Sequence, residues 1–395
     1  MLSRTPRPWL MLAAGVLAQA AASLVQATPA FLIPLLHTRR GLSLAEAGLI
    51  AAAPNVGVLL ALVAWGAATD RWGERRIPVL GLALTILGVA GALVAPGYTA
   101  LGLAFVVAGI GSASVSAASG RVVVGWFPPE RRGLAMGIRQ MSQPLGVTLG
   151  ALTVPPLVAG GTLEPALWFG IALVAAGLVC YALVVVNPQR PPRPVDAQGR
   201  PANPYRGDAA LVRIHTASAL LVVPQYVLAT FGLVWLIADQ HWEAMVAGVV
   251  VGLAQFLGAL GRIAVGVLSD RLGSRLRPLR WVALAGIPLL LLTAAAGAVH
   301  WPAAVAISYI LASCVSVADN GLAFTAVAEI AGAHWSGRAL GVQNTGQFAA
   351  AALATPLVGA LIGVVGYPVG FALTALAPLI AVPLVPRDAP RTTSR

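Results

Sequence analysis

The chain has no lysine and few charged residues of any kind. Only 10% of its 395 residues are charged and 6% are aromatic, whereas an average soluble domain is about 25% charged. A Walker-type phosphate loop needs a lysine and a zinc-peptidase motif needs two histidines four residues apart, so both sites are excluded. The two cysteines, Cys180 and Cys314, lie within apolar runs and are interpreted as small core residues. We therefore expect no cofactor, no metal and no enzymatic activity.

Apolar residues dominate the composition instead. The chain is 58% hydrophobic, with a mean hydropathy of +0.85, and about 20 consecutive apolar residues are enough to cross a bilayer. It also contains 43 glycines and 29 prolines, which membrane helices tolerate better than soluble ones. The composition predicts an all-α membrane protein with twelve transmembrane helices. The predicted spans are residues 9–36, 45–67, 78–95, 99–126, 134–158, 166–187, 213–237, 244–267, 279–299, 303–330, 338–363 and 368–386.

The distribution of arginine predicts how the chain is oriented in the membrane. With both termini in the cytosol, 20 arginines fall in cytosolic loops or tails, and only Arg39 and Arg40 fall outside. This bias is a strong positive-inside signal, and it explains the net charge of +12 without a nucleic-acid partner. We expect a multi-pass protein of the plasma membrane (the bacterial inner membrane). Its expected partner is the lipid bilayer.

A polar segment in the middle of the chain predicts two domains. Residues 187–208 are rich in proline and arginine and show no helical periodicity, which is typical of a flexible linker. We predict an N-terminal six-helix bundle over residues 1–187, a cytosolic linker over 188–212 and a C-terminal six-helix bundle over 213–395.

The two predicted bundles share a repeated sequence. Gly66–Arg75 reads GAATDRWGER, and Gly266–Arg275, 200 residues later, reads GVLSDRLGSR. Extending this alignment back to Gly48 and Gly248 gives 28 positions, of which eight are identical. A repeat of this kind indicates two pseudo-symmetric bundles. Because six spans is an even number, both copies have the same orientation.

This pattern resembles the major facilitator superfamily, whose members carry approximately G-x-x-x-D-R-x-G-R-R between spans 2 and 3. The first copy departs from the pattern at Glu74, where a basic residue is usual. The resemblance implies an alternating-access secondary transporter in which this loop closes the cytosolic side. It also implies a small-molecule substrate as partner and a protein that acts as a monomer. The implied gating residues are Asp70, Arg71, Arg75, Asp270, Arg271 and Arg275.

Physical chemistry supports a role for these aspartates. A carboxylate at this point can accept from the free N–H groups at the start of a helix in the opposite bundle. The simpler interpretation, a positively charged turn that only obeys the topology, stays open.

Span 8 carries the sharpest candidate for substrate binding. Gln255, Gly258, Arg262 and Gly266 recur at a spacing of three to four residues and share one helix face. A guanidinium within a span needs a partner. The surrounding sequence GRIAVGVLSDR resembles oxalate/formate and monocarboxylate-type facilitators, which implies that Arg262 binds a substrate carboxylate. The alternative is an arginine that snorkels to the cytosolic interface.

Spans 5 and 11 carry polar residues at equivalent positions. An offset of 204 residues pairs Arg139 with Gln343, Gln140 with Asn344, and Gln143 with Gln347. Such residues either join helices to one another or line a cavity. In the second case, Arg139 and Arg262 would form a bidentate anion clamp.

Weaker candidates lie on other spans. Gln26, Asn55, Gln225 and Tyr226 are interpreted either as helix-helix hydrogen-bond partners or as substrate contacts. The candidates for proton coupling are Asp319, His215 and Glu329, of which Asp319 lies near the middle of span 10. Arg121 of span 4 is interpreted as a snorkelling residue.

The sequence thus predicts a secondary active transporter of a small organic anion, with a carboxylate favoured. Transport would proceed by exchange or by proton coupling, as antiport or symport. The alternative is a proton-coupled efflux transporter for drugs or other hydrophobic compounds, which would require an acidic residue at the membrane midplane and an aromatic cavity. A membrane receptor or an intramembrane enzyme is disfavoured, because neither an added soluble domain nor a catalytic constellation is visible.

Overall fold

Helices make up almost all of the computed structural model, which describes residues 7–188, 203–206 and 209–387. Within these residues there are fourteen α-helices, one short 3-10 helix at Pro129–Arg131 and no β-strand. The α-helices are α1 (Pro8–Phe31), α2 (Ile33–Thr38), α3 (Leu44–Trp72), α4 (Arg76–Leu93), α5 (Tyr98–Trp126), α6 (Arg132–Gln140), α7 (Ser142–Leu157), α8 (Glu164–Val184), α9 (Ala210–Ala238), α10 (Ala244–Leu272), α11 (Leu276–Ala298), α12 (Pro302–Ala331), α13 (Ser336–Thr374) and α14 (Leu376–Leu384).

Ten helical stretches among the described residues are long and apolar enough to cross a bilayer. Large apolar side chains such as Leu60 and Val364 are 70% and 85% exposed on them, which suits contact with lipid rather than water. The predicted all-helical membrane fold is therefore confirmed. The predicted number of twelve spans is not, and the difference lies in predicted spans 5, 11 and 12.

Local backbone chemistry explains the difference in number. Predicted span 5 is divided between α6 and α7, because Pro144 has no N–H to donate to the carbonyl of Gln140. Predicted spans 11 and 12 fall in one helical stretch, Ser336–Leu384. That stretch is interrupted at Gly366, whose φ of 80° and ψ of 168° are not helical.

One compact unit comprises the described residues of 7–127, 138–188 and 331–344. In it α5 packs against α3 and α4, while α1 packs against α7 and α8. Leu24 and Phe105 are fully buried in its apolar core. The long α3 begins with a capping box between Ser43 and Glu46, which satisfies N–H groups that the helix itself leaves unpaired.

The other compact unit comprises the described residues of 128–137, 203–206, 209–330 and 345–387. In it α14 packs against α9 and α11, and α10 packs against α9 and α11. Its core includes a cluster of aromatic residues. The ring of Trp235 meets Phe371 edge to face at 4.9 Å and Tyr309 at 6.2 Å.

Each unit includes a short piece of chain from the other predicted bundle. Residues 331–344 belong to the first unit and residues 128–137 to the second. The predicted bundle boundaries at residues 187 and 213 stay predictions. Residues 189–202 and 207–208 of the predicted linker lie outside the described residues.

Candidate functional site

Asp70, near the end of α3, accepts two backbone hydrogen bonds at the start of α13. Its Oδ1 accepts from the N–H of Gly337 at 2.8 Å, and its Oδ2 accepts from the N–H of Arg338 at 2.9 Å. The first N–H groups of a helix lack partners within the helix and form the positive end of its dipole, so a carboxylate is a favourable acceptor there. We call this arrangement the first cap.

Arg121 of α5 supplies the positive charge that meets Asp70. One terminal nitrogen of its guanidinium bonds Asp70 Oδ1, its Nε donates to Glu74 Oε1 at 2.7 Å, and its Nη2 donates to the carbonyl of Ala333 at 2.8 Å. The exposed fractions are 6% for Asp70, 0% for Glu74 and 4% for Arg121. The interpretation of Arg121 as a snorkelling residue is therefore wrong, because two buried carboxylates hold it inside the protein.

Asp270, near the end of α10, makes the same pair of bonds in the second unit. Its Oδ1 accepts from the N–H of Gly133 at 2.8 Å, and its Oδ2 accepts from the N–H of Leu134 at 2.9 Å. Both donors lie in the first turn of α6. We call this arrangement the second cap. The acceptor Asp270 lies 200 residues after Asp70, whereas the donors lie 204 residues before the donors of the first cap.

A different set of charges surrounds the second cap. Arg275 donates to Asp270 Oδ1 at 2.6 Å and to Glu329 Oε2 at 3.4 Å, while Arg132 donates to Glu329 Oε1 at 3.2 Å. The Glu329 side chain is 26% exposed, so this cluster reaches water. Glu329, a candidate for proton coupling, is thus an ion-pair partner near the second cap.

Glycine pairs bring the helices of each cap into close contact. A Cβ on Gly66 would lie 2.2 Å from the carbonyl oxygen of Gly337, and a Cβ on Gly337 would lie 2.4 Å from that of Gly66. In the second unit the corresponding distances are 2.3 Å for Gly266 and 2.2 Å for Gly133. No side chain fits at any of these positions without moving a backbone.

The repeated loops continue with a turn and several arginines. Gly73 and Gly273 have positive φ, +100° and +60°, as a reversal after a helix end requires. Arg71 and Arg271 are exposed. Arg75 donates to the carbonyl of Ala182 at 2.9 Å. Of the four arginines predicted to act in the gate, Arg275 is the one bonded to a cap aspartate.

Arg139, at the end of α6, is 5% exposed and belongs to the first unit. Its Nε donates to the Ser119 hydroxyl at 2.7 Å, its Nη1 to the Gln140 amide oxygen at 2.9 Å, and its Nη2 to the Ser116 carbonyl at 2.8 Å. These three acceptors are neutral and fix the plane of the guanidinium. Ser116 in turn donates to the amide oxygen of Gln19 at 3.0 Å.

Arg262 belongs to the second unit and lies against α12. Its Nε donates to the carbonyl of Val317 at 3.3 Å, and its charge is close enough to interact with Asp319 and Tyr226. A Cβ on Gly137 of α6 would lie 2.9 Å from the Arg262 carbonyl oxygen. Arg262 therefore lies one helical turn from the glycine crossing of the second cap.

An amide network lies on three helices of the second unit. The amide nitrogen of Gln347 donates to the Ser218 hydroxyl at 2.7 Å and to the Asn320 side-chain oxygen at 2.9 Å. Asn320 then donates to the side-chain oxygen of Gln225 at 2.9 Å. Three spans thus contribute amides to one network, in which the amide nitrogens of Gln347 and Asn320 have acceptors.

The other candidate residues of spans 5 and 11 differ in burial and in hydrogen-bond partners. Gln343 and Asn344 are buried, and Asn344 donates to the carbonyl of Leu340 at 2.9 Å within its own helix. Gln140 is partly buried beside Arg139, whereas Gln143 is exposed.

Among the weaker candidates, Gln26 donates to the Ser112 hydroxyl at 2.8 Å. Asn55 and Gln255 are exposed. His215, five residues after the start of α9, contacts the Tyr205 hydroxyl through its Nε2 at 3.0 Å. The structure thus places this histidine against the segment that precedes α9.

A sequence profile described as Major Facilitator Superfamily matches residues 15–355. The chain belongs to the Major Facilitator Superfamily. An uncharacterised MFS-type transporter of Mycobacterium tuberculosis (strain H37Rv) is 45% identical over 357 residues, which are 90% of this chain and 80% of that protein. A probable nitrate/nitrite transporter of the same species, NarK2, is 29% identical over 325 residues, which are 76% of each protein.

Solved structures of the superfamily share this fold. The crystal structure of the human organic anion transporter MFSD10 has a TM-score of 0.75 at 17% identity, with 97% of this chain and 100% of that chain covered. At this identity the likeness concerns the fold. The chain is therefore a multi-pass transporter of the Major Facilitator Superfamily.

Sequence reasoning missed several residues of this MFS site. Glu74 was noticed only as a departure from the family pattern, and its partner Arg121 was not connected with it. The sequence signal is an unexpected acidic residue in the loop before span 3 together with an arginine within span 4, since a charged residue in a span needs a partner. Ala333 left no signal, since it contributes only its backbone carbonyl.

Proposed function

We propose that this MFS protein is a secondary active transporter of a small anion, working by alternating access. Its chain would cross the bacterial inner membrane twelve times, with both ends in the cytosol. Span 5 would consist of α6 and α7. Spans 11 and 12 would be the parts of Ser336–Leu384 before and after Gly366.

The observation that carries the proposal is the buried guanidinium of Arg139. It lies at the end of α6, in predicted span 5, and neutral acceptors from Ser116, Ser119 and Gln140 orient it. A planar, oriented guanidinium suits carboxylate or nitrate, which it binds through two parallel N–H bonds. Holding a cation in this environment is unfavourable, so a function for it is the expected reason.

Arg262 supports the same proposal from the second unit. It is near the polar side chains of Tyr226 and Asp319, and the amide network adds neutral donors and acceptors on the neighbouring helices. One relative over three quarters of the chain is named as a probable nitrate/nitrite transporter, which makes small inorganic anions as plausible a substrate as carboxylates.

We further propose that the two caps act as the cytosolic gate. Asp70 and Asp270 accept hydrogen bonds from backbone N–H groups in the first turns of α13 and α6. Opening must break these bonds. The caps therefore stabilise the state that is closed to the cytosol by the free energy of these hydrogen bonds.

Ligand-induced thermal stabilisation of purified protein tests the anion proposal. Nitrate, nitrite, formate and oxalate should each be compared with chloride, because a ligand that binds the folded state raises its apparent stability. We expect stabilisation by at least one of the four anions. Arg139→Gln and Arg262→Gln should lose about tenfold or more in affinity, since a charge-assisted hydrogen bond contributes about 1.5–3 kcal/mol. Arg262→Lys should lose less than Arg262→Gln, because it keeps the charge but not the planar fork.

The exposed Arg277 offers a matched control. Arg277→Gln makes the same change of charge outside the proposed binding residues and should bind like the wild type. If both Arg139→Gln and Arg262→Gln also bind like the wild type, the anion proposal is wrong.

Efflux of a hydrophobic or cationic compound is the second candidate, and Asp319 is the observation that favours it. This carboxylate is fully buried in the middle of α12, where a proton-coupled exporter requires an acid. A cationic dye that stabilises the protein, and does so more strongly in Arg262→Gln, would decide for efflux.

A further inference from the structure

Arg39 and Arg40 are the two arginines that the predicted orientation leaves on the outer side, and the proposed transport does not use them. They directly follow α2, in the loop before α3. Basic residues in an outer loop oppose the orientation that the other arginines favour. Arg39 lies against the loop between α7 and α8, where a Cβ on Gly161 would lie 3.2 Å from its Nη1. Arg40 instead lines a cavity.

This cavity lies where α4 ends and where α5 and α8 begin, and its volume is about 320 Å³. Its wall is mostly apolar and includes Leu93, Leu101 and Leu167, while the charged residues that line it are Arg40 and Glu164. All of these residues belong to the first unit. None of the residues proposed to bind the transported anion lines the cavity, so it is a separate site.

The two charged side chains suit a ligand that carries both signs. The charges of Arg40 and Glu164 are close enough to interact, and both side chains are exposed. A guanidinium matches the geometry of a phosphate group, which it binds through parallel N–H bonds. The Glu164 carboxylate also accepts a hydrogen bond from the Thr162 side chain. Because a carboxylate has about four lone-pair positions, it can accept from an ammonium group as well.

Aromatic residues indicate that the cavity lies at the level of the lipid headgroups. Tyr98, which lines it, is 41% exposed, and Trp168, one turn after Glu164 on α8, is 60% exposed. Tyrosine and tryptophan concentrate at this level, because their rings are apolar and their polar groups reach water. Further along α4 and α5, Leu87 and Leu103 are 67% and 63% exposed, which suits contact with acyl chains.

The second unit has a different arrangement at the corresponding place. Asp239 and Gln240 directly follow α9, as Arg39 and Arg40 directly follow α2. Gln240 donates to the carbonyl of Gly297, at the end of α11, at 3.0 Å and to Asp239 at 2.8 Å. Hydrogen bonds within the protein thus hold this loop to the neighbouring helix, whereas Arg40 lines a cavity. The cavity is therefore not a consequence of the repeat.

We propose that the cavity binds the headgroup of a phospholipid, with the phosphate at Arg40 and an ammonium group at Glu164, as in phosphatidylethanolamine. The apolar wall contacts the glycerol backbone and the start of the acyl chains. In the proposed topology this lipid belongs to the outer leaflet, although neither the site nor its test depends on the leaflet. The bound lipid joins the loop after α2 to the starts of α5 and α8, so it stabilises the first unit.

Thermal unfolding of delipidated full-length protein in detergent tests the site. Dioleoyl phosphatidylethanolamine, phosphatidylcholine and phosphatidylglycerol should each be titrated into the micelles. We expect phosphatidylethanolamine to raise the unfolding midpoint most, because a ligand that binds the folded state stabilises it. The quaternary ammonium of phosphatidylcholine has no N–H to donate to Glu164, and phosphatidylglycerol has no ammonium group. Dioleoylglycerol and soluble glycerophosphoethanolamine each lack one half of the ligand and should leave the midpoint unchanged.

Substitutions of the charged residues test the two ends of the headgroup. Arg40→Gln should weaken phosphatidylethanolamine binding about tenfold or more, because a charge-assisted hydrogen bond to the phosphate is lost. Arg39→Gln is the matched control, since it removes the same charge from a neighbour that does not line the cavity, and it should bind like the wild type. Glu164→Gln should lose most of the preference for phosphatidylethanolamine over phosphatidylglycerol.

A substitution that changes no charge tests the site independently. Gly97 lines the cavity, its backbone is extended with a φ of −175°, and an added Cβ meets no atom within 4 Å. Gly97→Leu should therefore fold, narrow the cavity and weaken phosphatidylethanolamine binding. Gly102 of α5 also has no atom within 4 Å of an added Cβ and does not line the cavity. Gly102→Leu should bind like the wild type.

The proposal is wrong if Arg40→Gln binds phosphatidylethanolamine like the wild type, or if Arg39→Gln loses as much affinity as Arg40→Gln. Glycerophosphoethanolamine that binds as tightly as the lipid would also overturn it, in favour of a soluble zwitterion. The unfolding midpoint without lipid shows which variants are folded, and Gly97→Leu keeps the test decisive if Arg40→Gln is not. Nitrate binding should be unchanged in Arg40→Gln, so this result is independent of the anion proposal.

Discussion

Asp70 and Asp270 accept equivalent pairs of backbone hydrogen bonds, but the arginines that neutralise them come from different places in the chain. Arg121 is 51 residues from Asp70, on another helix, whereas Arg275 is only five residues from Asp270. The first arginine is enclosed with two carboxylates that are nearly inaccessible to solvent. The second shares Glu329, whose side chain is 26% exposed.

This difference shows which parts of the repeat are interchangeable. The backbone contacts recur in both copies. The glycines fix how closely the two helices approach, and the helix start fixes where its N–H groups face the carboxylate. The positive charge that neutralises the aspartate needs only to lie near it, so the two copies use arginines from different positions in the chain. Charges interact more strongly when they are shielded from water and salt, and we therefore expect the first cap to be the stronger of the two.

The largest expected effect comes from removing the buried arginine. Arg121→Gln removes the guanidinium that both Asp70 and Glu74 contact and leaves Asp70 the more distant Arg338 at 3.8 Å. Breaking such a buried pair costs about 3–5 kcal/mol. Arg275→Gln should cost less, because Glu329 keeps Arg132 and reaches water. The measurement is the thermal unfolding midpoint of each detergent-purified variant.

A second substitution sharpens this comparison. Glu74→Gln in the Arg121→Gln background removes one of the uncompensated charges and should recover part of the lost stability. Equal losses for Arg121→Gln and Arg275→Gln would contradict the proposed difference between the caps.

An intermediate effect, equal in the two copies, is expected from the glycine crossings. Gly66→Ala and Gly266→Ala each place a methyl group within 2.3 Å of a carbonyl oxygen, and such overpacking costs about 1–3 kcal/mol. Gly48 and Gly248, at the start of the repeat, have no atom within 4 Å of an added Cβ. Their alanine variants are matched controls and should be neutral or slightly stabilising. The two variants should be compared by their thermal unfolding midpoints. A loss of stability in one variant but not in the other would disprove the equivalence of the two crossings.

The smallest effect concerns the populations of open and closed forms. Met136 and Leu340 occupy equivalent positions in α6 and α13, and both are 0% exposed. Cysteines placed there, in a protein whose Cys180 and Cys314 are replaced by serine, report access from the cytosol. A carboxylate at a helix start contributes about 0.3–2 kcal/mol. Asp270→Asn should therefore raise labelling at position 136 severalfold.

Asp70→Asn should also raise labelling at position 340. In each variant an arginine would still bond a carbonyl just before the helix, Arg121 that of Ala333 and Arg275 that of Pro129. Unchanged labelling in both variants would reject the gating role. High salt should increase labelling at position 136 more than at position 340, since the second cluster reaches water.

Much of the fold followed from composition, because an apolar chain with few charges has to satisfy its backbone within helices. The repeat also led to the expectation that Asp70 and Asp270 accept from helix starts, and the structure has these bonds. The number of spans could not be predicted as readily. Helix ends depend on single residues such as Pro144 and Gly366, whose effects are local and do not change the apolar pattern.

The side-chain partners were harder to predict than the helices. Arg121 and Glu74 are 47 residues apart, and no periodicity within one helix connects them. Exposed Gln143 and buried Gln347 are equivalent in the repeat, so symmetry does not fix the surroundings of a polar residue. A hydrogen-bond network forms between helices, and only the packing of those helices determines which amides meet.

The donors of both caps are main-chain N–H groups, and this has a consequence for how the sequence can change over time. Any residue except proline presents the same N–H at positions 134 and 338, so a leucine serves in one copy and an arginine in the other. Positions 133 and 337 have no such latitude, since a Cβ there would meet a facing carbonyl. Among descendants of this gene we therefore expect residues 134 and 338 to vary widely while the adjacent glycines stay fixed. Mutational scans limited to side chains would overlook the donors of both caps.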